Sequence, residues 1–258
     1  MSRISFHLDN TRALVTGAAS GIGLATAELL ARSGAHVAMN DLPGNARLEQ
    51  ETERLSGLGL RVLAAPGDTG SAASANAMTE KAIDTLGGLD YLVNNAGTPG
   101  TSQPIAPSDF EAQNEAFWEK LLSVNLQGPW RCLAAASHAL QDAGGAVVNT
   151  ASIAGFYGNG SSAVYCATKA ALISLTREHA RVLGPRVRVN AIAPGYVDSE
   201  WECRFDRPQQ SINALPLQRI GQPQDYANGI VWLLASADYV TGHVLVMDGG
   251  LTLGPRPD

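Results

Sequence analysis

Short apolar segments alternate along the chain with longer segments of helical periodicity. Seven predicted strands are Ala13–Val15, His36–Met39, Arg61–Ala64, Tyr91–Val93, Ala146–Asn149, Val187–Asn190 and Val244–Met247. Most are apolar throughout, which is typical of strands buried on both faces. Predicted helices lie between them, at Ile22–Ser33, Ala46–Leu58, Ala72–Leu86, Glu111–Gln141, Ser162–Leu183 and Gln224–Leu234. This alternation predicts an α/β fold, with one doubly wound domain over residues 1–258 and helices on both faces of a seven-stranded parallel sheet.

The ligand site of such a fold lies beyond the carboxyl ends of the strands, where the strand order reverses. Two long irregular stretches, Thr98–Ser108 and Pro194–Pro216, each follow a predicted strand. Loops of this length in a compact domain are usually functional or disordered. Both stretches could therefore overhang the ligand site.

The composition argues against several other classes of protein. The formal net charge is −6 and no Lys/Arg cluster is present, so we do not expect nucleic-acid binding. No apolar run reaches the ~18 residues of a membrane span, and the first ten residues lack the apolar core of a secretory signal. Cys132, Cys166 and Cys203 cannot all pair within one chain, and their spacing matches no metal site. We therefore expect free thiols in a cytoplasmic protein that binds no metal.

A glycine-rich turn, Thr16-Gly17-Ala18-Ala19-Ser20-Gly21-Ile22-Gly23, joins the first predicted strand to the first predicted helix. Glycines there let the backbone approach a pyrophosphate, which binds at the helix N-terminus. A tight strand–helix connection is the alternative explanation, and the spacing is G-x-x-x-G-x-G rather than G-x-G-x-x-G. The position in the chain favours dinucleotide binding. The predicted cofactor-binding residues of the turn are Thr16, Gly17, Ser20, Gly21, Ile22 and Gly23.

Asp41 is the first acidic residue after the second predicted strand. A carboxylate at this place can hydrogen-bond both ribose hydroxyls of an adenosine, and it repels a 2′-phosphate. No Arg or Lys adjoins it, since Arg47 is the nearest one downstream. A solvated turn aspartate is the alternative interpretation. The position favours the functional one and predicts NAD rather than NADP.

Tyr165 and Lys169 are four residues apart and therefore share one face of a predicted helix. A free tyrosine has a pKa of ~10, and an ammonium beside the phenol favours phenolate and lowers that pKa. The pair could thus act as an acid–base catalyst near neutral pH. Because a chance Y-x-x-x-K is frequent, the pair gains weight only together with other motifs.

With its motifs in this order, the chain resembles the short-chain dehydrogenase/reductase family over nearly its whole length. The matching motifs are Thr16-Gly17-x-x-x-Gly21-x-Gly23, Asp68, Asn94-Asn95-Ala96-Gly97, Asn125, Ser152, Tyr165-x-x-x-Lys169 and Pro194-Gly195. Ser152 precedes Tyr165 at a spacing common in that family. Ser199 stands where that family usually has a threonine, and it keeps the hydroxyl.

The resemblance implies a role for each matching residue. Tyr165 would exchange a proton with the substrate oxygen, while Lys169 would lower the tyrosine pKa and bind the nicotinamide ribose. Ser152 would hydrogen-bond the substrate oxygen, and Asn125 would anchor a water that links Lys169 to solvent. The further cofactor contacts implied are Asp68, Thr69, Asn95, Ala96, Gly97, Pro194, Gly195, Val197 and Ser199. Asn94 and Asn95 could also be structural, tying loops to the backbone.

Within a substrate-binding loop at about 194–216, the segment Ser199–Pro216 is predicted to be a mobile lid over the nicotinamide. Its aromatics, Trp201 and Phe205, would share a pocket with Phe156 and Tyr157. Such a lining favours a medium-sized, partly apolar or cyclic ketone or alcohol. Arg204 could instead turn inward and select a carboxylate. The alternative is a surface excursion that packs on its own domain or on a neighbouring subunit.

The resemblance therefore implies an NAD-dependent oxidoreductase that interconverts a secondary alcohol and a ketone. One alternative is a 3-oxoacyl-(acyl-carrier-protein) reductase, which would want NADPH and a basic docking patch. Asp41 argues against that cofactor, whereas Arg131 could serve docking. The alternative from another class is a catalytically silent nucleotide-binding regulator. The complete set of Ser152, Tyr165 and Lys169 argues against it.

Association of several copies is also predicted, with a homotetramer as in many members of the family. The sequence supports association independently of the resemblance. Between Ala163 and Thr176 the predicted helix has one charged residue, Lys169. One face of the helix can cover the sheet, but the remaining apolar surface would be exposed in a monomer.

Overall fold

The computed structural model of the protein describes residues 6–199 and 209–254. Seven strands form one parallel sheet in the order β3-β2-β1-β4-β5-β6-β7. The strands are β1 (Arg12–Val15), β2 (His36–Met39), β3 (Val62–Ala64), β4 (Tyr91–Asn94), β5 (Ala146–Thr150), β6 (Arg188–Pro194) and β7 (Val244–Met247). The predicted fold class and the seven-stranded parallel sheet are confirmed.

Helices connect the strands and cover both faces of the sheet. The α-helices are α1 (Gly21–Arg32), α2 (Ala46–Gly57), α3 (Ala72–Leu86), α4 (Glu115–Leu122), α5 (Gly128–Ala143), α6 (Ala154–Tyr157), α7 (Ala163–Leu183), α8 (Gln209–Asn213) and α9 (Pro223–Ala235). A π-helical turn, Ser123–Gln127, joins α4 to α5, and a 3₁₀ turn, Leu251–Leu253, follows β7.

Each central strand contributes to two hydrophobic cores, one on each face of the sheet. In β1, Ala13 and Val15 belong to the core that includes residues of α1 and α9. Leu14, between them, belongs to the opposite core, which includes residues of α3 and α5. All three side chains are fully buried. Successive residues of a strand point to opposite faces, so a strand covered on both faces has to be apolar throughout.

The order of the strands reverses between β1 and β4. β1 pairs with β2 on one side and with β4 on the other, and all pairs are parallel. The loops that follow β1, β2, β4, β5 and β6 therefore meet at one edge of the sheet. Such a reversal is where open α/β sheets bind their ligands.

Two predicted elements differ from the structure by four residues at one end. The strand predicted to end at Asn190 continues to Pro194, because Ala191 to Pro194 pair with β7. The helix predicted over Glu111–Gln141 begins at Glu115, where the side chain of Asn114 accepts a hydrogen bond from the backbone N–H of Phe117 at 3.1 Å. The same helix is interrupted by the π-helical turn.

Two short helices were not predicted. α6 begins four residues after the end of β5, and α8 lies inside the stretch 194–216, which was expected to be irregular. Helices of four or five residues are too short to show a helical repeat of apolar residues. Thr98–Ser108 contains neither helix nor strand, as expected.

Within the two described ranges, no helix has both the length and the apolar character needed to cross a membrane. The same ranges contain no cluster of three His, Cys, Asp or Glu side chains that could hold a metal ion. Cys132 is buried and Cys166 is partly buried, both as free thiols, and burial raises the pKa of Cys132 to about 11. Cys203 lies outside the described residues.

Candidate active site

A cavity of about 1070 Å³ opens at the edge of the sheet where the strand order reverses. It is bounded by the loops that follow β1, β2, β3, β4, β5 and β6. The predicted site residues that line it are Gly17, Ser20, Gly21, Ile22, Asp41, Asp68, Thr69, Asn95, Ala96, Gly97, Ser152, Tyr165, Lys169, Pro194, Gly195, Val197 and Ser199. The structure thus brings residues from distant parts of the sequence to one surface.

The glycine-rich turn forms one wall of the cavity. Gly17 and Gly21 have φ angles of 64° and 53°, a region that side chains disfavour. A Cβ atom on Gly17 would lie 2.9 Å from Cα of Ala96, so only glycine allows this close approach of the β1 and β4 loops. No side chain caps α1 at Ser20, so the first amide groups of that helix are open to an anion.

Thr16 and Gly23 were predicted to bind the cofactor, but they lie behind the cavity wall. The Thr16 hydroxyl oxygen accepts hydrogen bonds from the backbone N–H groups of Asn95 at 2.9 Å and Ala96 at 3.0 Å. The Asn95 side-chain amide donates to the carbonyls of Thr16 and Gly17, each at 3.1 Å. These residues therefore hold the two loops together, which supports the structural alternative for Asn95.

Asn94 is structural as well. Its buried side-chain amide donates to Asn149 Oδ1 at 2.9 Å and to the carbonyl of Pro129 at 3.2 Å. Asn149 in turn donates to Thr176 Oγ1 at 2.9 Å. The chain of hydrogen bonds connects α5, β4, β5 and α7 through the interior.

Asp41 lies at the end of the cavity beside the glycine-rich turn. Its Oδ2 accepts a hydrogen bond from the backbone N–H of Ala19 at 3.3 Å. Its Oδ1 accepts from the backbone N–H of Leu42 at 2.8 Å and from Asn45 Nδ2 at 3.0 Å. The carboxylate is therefore held at the cavity edge rather than free in solvent.

Ser152, Tyr165 and Lys169 meet at the opposite end of the cavity. Ser152 follows β5, and its hydroxyl oxygen accepts a hydrogen bond from the backbone N–H of Ala154 at 3.1 Å. Tyr165 and Lys169 lie in the first two turns of α7, whose N-cap is Ser162; the Ser162 hydroxyl accepts from the backbone N–H of Tyr165 at 3.0 Å. This cap fixes where the helix begins and so where both side chains stand.

Lys169 is buried, and its ammonium nitrogen donates to the carbonyl of Thr150 at 2.7 Å. The same nitrogen lies 5.7 Å from the centroid of the Tyr165 ring. Burial disfavours the charged form and lowers the pKa of Lys169 to about 8. Because neutral pH is still below that value, the ammonium remains the major form, and its charge acts on the phenol in a desolvated environment.

Asn125 lies in the π-helical turn and does not line the cavity. Its side chain is fully buried and forms two hydrogen bonds with the backbone of Thr98, at 2.8 and 2.9 Å. A Cβ atom on Gly97 would lie 3.4 Å from Asn125 Oδ1 and 3.7 Å from Lys169 Nζ, so the turn and the lysine are close neighbours. Pro129 has no N–H to donate to the carbonyl of Asn125, which removes one α-helical hydrogen bond at this turn.

Two of the four aromatic residues predicted for the substrate pocket lie outside the lining of the described cavity. Phe156 and Tyr157 are 40% and 66% exposed and do not line the cavity, which corrects their predicted placement. The reason is α6, in which Gly155 packs against the backbone of α7; a Cβ atom there would lie 2.8 Å from the carbonyl carbon of Lys169. Trp201, Phe205 and Arg204, with most of the proposed lid, lie outside the described residues.

The cavity is also lined by residues that no motif singled out individually, among them Asn45, Thr98, Pro104, Asn159 and Tyr196. Each lies within a few residues of a recognised motif or in an irregular stretch beside one. Their positions depend on how the loops turn, so no spacing rule identified them.

The residues of this cavity fit a nicotinamide dinucleotide. The open amides of α1 suit the pyrophosphate, and the Asp41 carboxylate suits ribose hydroxyls. Gly17 and Gly97 have no side chains, which leaves the space that a dinucleotide needs to approach the backbone. Lys169 lies at the far end, beside the two hydroxyl side chains that could contact a substrate.

Sequence comparisons point to oxidoreductases. A family model described as enoyl-(acyl carrier protein) reductase matches residues 17–252. The protein named ketoacyl reductase 2 of the granaticin polyketide synthase from Streptomyces violaceoruber is 36% identical over 246 residues, which cover 93% of this chain and 96% of that protein. The 3-oxoacyl-(acyl-carrier-protein) reductase FabG of Staphylococcus aureus is 34% identical over 244 residues, covering 93% of this chain and 97% of that protein.

Solved structures give the same result. A short-chain dehydrogenase from Burkholderia cenocepacia in complex with NADP has a TM-score of 0.86 at 29% identity, and the match covers 95% of this chain and 99% of that one. A 7α-hydroxysteroid dehydrogenase complexed with NADH and 7-oxo glycochenodeoxycholic acid also has a TM-score of 0.86 at 29% identity, with coverage of 97% and 96%.

Proposed function

The chain belongs to the short-chain dehydrogenase/reductase family, and on that premise we propose that it is an NAD-dependent oxidoreductase that interconverts a secondary alcohol and a ketone. One observation carries the proposal: the ammonium of Lys169 is buried 5.7 Å from the centroid of the Tyr165 ring, in the cavity that Ser152 and Asp41 also line. Proton chemistry and a ribose-binding carboxylate thus occupy two ends of one cavity.

The chain's own part in the reaction is to orient the substrate and to move a proton. In the direction of reduction, the Tyr165 hydroxyl gives its proton to the substrate oxygen while that oxygen gains negative charge. The Ser152 hydroxyl donates a hydrogen bond to the same oxygen. The Lys169 ammonium stabilises the phenolate that remains. When bound, the nicotinamide supplies or accepts the hydride.

The preference for NAD rests on Asp41. The related structures include both an NADP complex and an NADH complex, so they do not decide the cofactor. A carboxylate at the ribose end of the cavity accepts hydrogen bonds from two hydroxyls, and it repels a 2′-phosphate. The backbone N–H of Ala19 donates a hydrogen bond to this carboxylate, so that N–H group already has a partner within the protein.

Asp41→Ala is expected to narrow the ratio of the NADPH Kd to the NADH Kd by about 10- to 100-fold. The substitution removes both the hydrogen bonds that the carboxylate would accept from the ribose and its repulsion of a 2′-phosphate. Fluorescence titration gives the Kd for NADH and for NADPH without a known substrate. Asp84→Ala, at an exposed position of α3, is the control and leaves both values unchanged. Equal or tighter binding of NADPH by the unmodified protein would overturn the assignment.

For the substrate, we propose a medium-sized ketone or alcohol that is partly apolar or cyclic. The described lining supports a partly apolar substrate, because Ile153, Ala154 and Pro104 line the cavity together with Ser152 and Tyr165. Trp201 and Phe205 remain predicted substrate residues.

A 3-oxoacyl thioester is the second candidate substrate, and the names of two relatives favour it. Arg131, considered above for docking of a carrier protein, is engaged within the chain. Its guanidinium donates to the carbonyl of Gly70 at 2.7 Å and to Gln127 Oε1 at 2.8 Å. These hydrogen bonds brace the loop that follows β3.

Turnover of NADH and NADPH across a panel of carbonyl compounds tests the proposed function. The panel contains cyclic ketones, aliphatic ketones, 2-oxo acids and a 3-oxoacyl thioester. We expect NADH-dependent reduction of a cyclic or aliphatic ketone. Faster turnover of the thioester with NADPH would favour the second candidate, and no turnover of any compound would favour a silent regulator.

We also propose that the protein is a cytoplasmic homotetramer. On α7, Ala163, Ala167, Ala170 and Ser174 are exposed and small, so another helix could pack closely there. Trp130, on α5, is 52% exposed. Light scattering at micromolar concentration is expected to give four times the mass of one chain, and a monomer would refute association.

A further inference from the structure

Asn45 contacts both its own helix and Asp41. As the N-cap of α2, its Oδ1 accepts a hydrogen bond from the backbone N–H of Arg47 at 3.1 Å. Its Nδ2 donates to Asp41 Oδ1 at 3.0 Å. If the side-chain amide of Asn45 were flipped, its oxygen would face the Asp41 carboxylate and its NH₂ group would face the backbone N–H of Arg47. The two partners together therefore fix the orientation of the amide.

The turn between β2 and α2 creates this contact. Gly44 has a φ of 79°, which lets the chain reverse direction. The backbone N–H of Asn45 donates to the carbonyl of Leu42 at 3.1 Å and closes the turn. The N-cap of the helix is thereby brought back onto the carboxylate four residues earlier.

Asn45 supplies a donor that a substitution can remove. Within the described part of the chain, the other donors to the Asp41 carboxylate are the backbone amides of Ala19 and Leu42. Both Asn45 and Asp41 line the cavity. Asn45 therefore determines how firmly the carboxylate is held where a cofactor would meet it.

We propose that Asn45 is a positioning residue for cofactor selection, which holds the Asp41 carboxylate toward the glycine-rich turn. The inference rests on the proposed role of Asp41 in selecting NAD. A carboxylate that is already oriented loses less rotamer freedom when it binds a ribose. One that can rotate away also repels a 2′-phosphate less, because the repulsion falls with distance.

Asn45→Ser separates the two contacts of this side chain. Serine is as good an N-cap as asparagine, so the Tm is expected to stay unchanged, but its shorter side chain has a single polar atom and no amide group that could extend to Asp41. The Kd for NADH, from fluorescence titration, is expected to rise about three- to tenfold. The Kd for NADPH changes less, so the ratio between the cofactors narrows.

Asn114→Ser is the matched control. Asn114 is the N-cap of α4 and accepts from the backbone N–H of Phe117, and it does not line the cavity. The same substitution there is expected to leave the Kd values for both cofactors unchanged. A similar loss of affinity in this variant would show that Asn→Ser at a helix N-cap lowers cofactor affinity without any contact to Asp41, and it would overturn the inference.

A double-variant cycle tests whether Asn45 acts through Asp41. In the Asp41→Ala background, Asn45→Ser is expected to change the Kd for NADH less than about twofold. An effect of full size in that background would mean that Asn45 contacts the cofactor directly, and it would overturn the inference. If Asp41→Ala narrows the cofactor ratio and Asn45→Ser does not, the inference alone fails. If Asp41→Ala leaves the ratio unchanged, the proposed NAD preference fails with it.

Discussion

Tyr165→Phe is expected to lower turnover about 10²- to 10⁴-fold while the Kd for NADH stays near that of the unmodified protein. The substitution removes the hydroxyl that we propose gives its proton to the substrate oxygen, and it keeps the ring that lines the cavity. Lys169 keeps its hydrogen bond to the carbonyl of Thr150, so its position does not depend on the phenol. The measurement is the steady-state rate of NADH oxidation with the best ketone of the panel.

Tyr239→Phe is the control for this experiment. Tyr239 is fully exposed in the loop before β7, so loss of its hydroxyl is expected to change neither turnover nor NADH binding. A Tyr165→Phe variant that turns over at nearly the unmodified rate would reject the proposed acid–base role. A variant that also loses NADH binding would indicate a disturbed cavity, so titration of NADH accompanies every rate.

The fold was predictable because strands that are buried on both faces consist of apolar residues, and such segments are recognisable in the sequence. A segment such as Ala13–Val15 has to be apolar at every position, since it faces a core on each side of the sheet. The later part of β6 was missed because it continues as Ala191-Ile192-Ala193-Pro194, and a proline usually suggests that a strand has already ended. Pairing with β7, which is distant in sequence, decides its true end.

The π-helical turn was not predicted, although the sequence contains one sign of it. Pro129 sits in a helical pattern where its missing N–H breaks the hydrogen bond to the carbonyl of Asn125. A continuous pattern of apolar residues on either side hid the interruption. The turn matters because it brings the Asn125 side chain to the backbone of Thr98, beside the cavity.

The relative placement of Tyr165 and Lys169 was more predictable than that of the aromatic residues proposed for the substrate pocket. Tyr165 and Lys169 share a helix, so their spacing alone places them on one face. Phe156 and Tyr157 follow Ser152 just as closely, but the direction of their side chains depends on how α6 packs against α7. A position close to Ser152 in the sequence therefore did not predict the direction in which the side chains of Phe156 and Tyr157 point.

The same distinction applies to Asp41 and Asn45. The position of Asp41 after β2 predicted a carboxylate at the ribose end of the cavity. The hydrogen bond from Asn45 depends on the closed turn through Gly44 and on the helix cap that the same side chain provides, and neither is visible in the sequence. Residues that position a functional side chain are harder to predict than the side chain itself.

Gly23→Ala is expected to destabilise the protein by about 1–3 kcal/mol and to raise the Kd for NADH at least about tenfold. Gly23 lies inside α1, where alanine would ordinarily stabilise a helix. Here a Cβ atom would lie 2.1 Å from the carbonyl oxygen of Gly17 and 2.6 Å from Asn95 Nδ2. The backbone of the glycine-rich turn would have to move, and with it the cavity wall that we propose binds the pyrophosphate.

Gly57→Ala is the matched substitution for Gly23→Ala, because Gly57 is the last residue of α2 and a Cβ atom there would meet nothing within 4 Å. Its Tm is expected to stay the same or to rise slightly, since alanine favours the helix more than glycine does. Thermal unfolding and NADH titration of both variants give the comparison. If Gly23→Ala bound NADH as tightly as Gly57→Ala and unfolded at the same temperature, the close contact between α1 and Gly17 could not be what shapes the cofactor site.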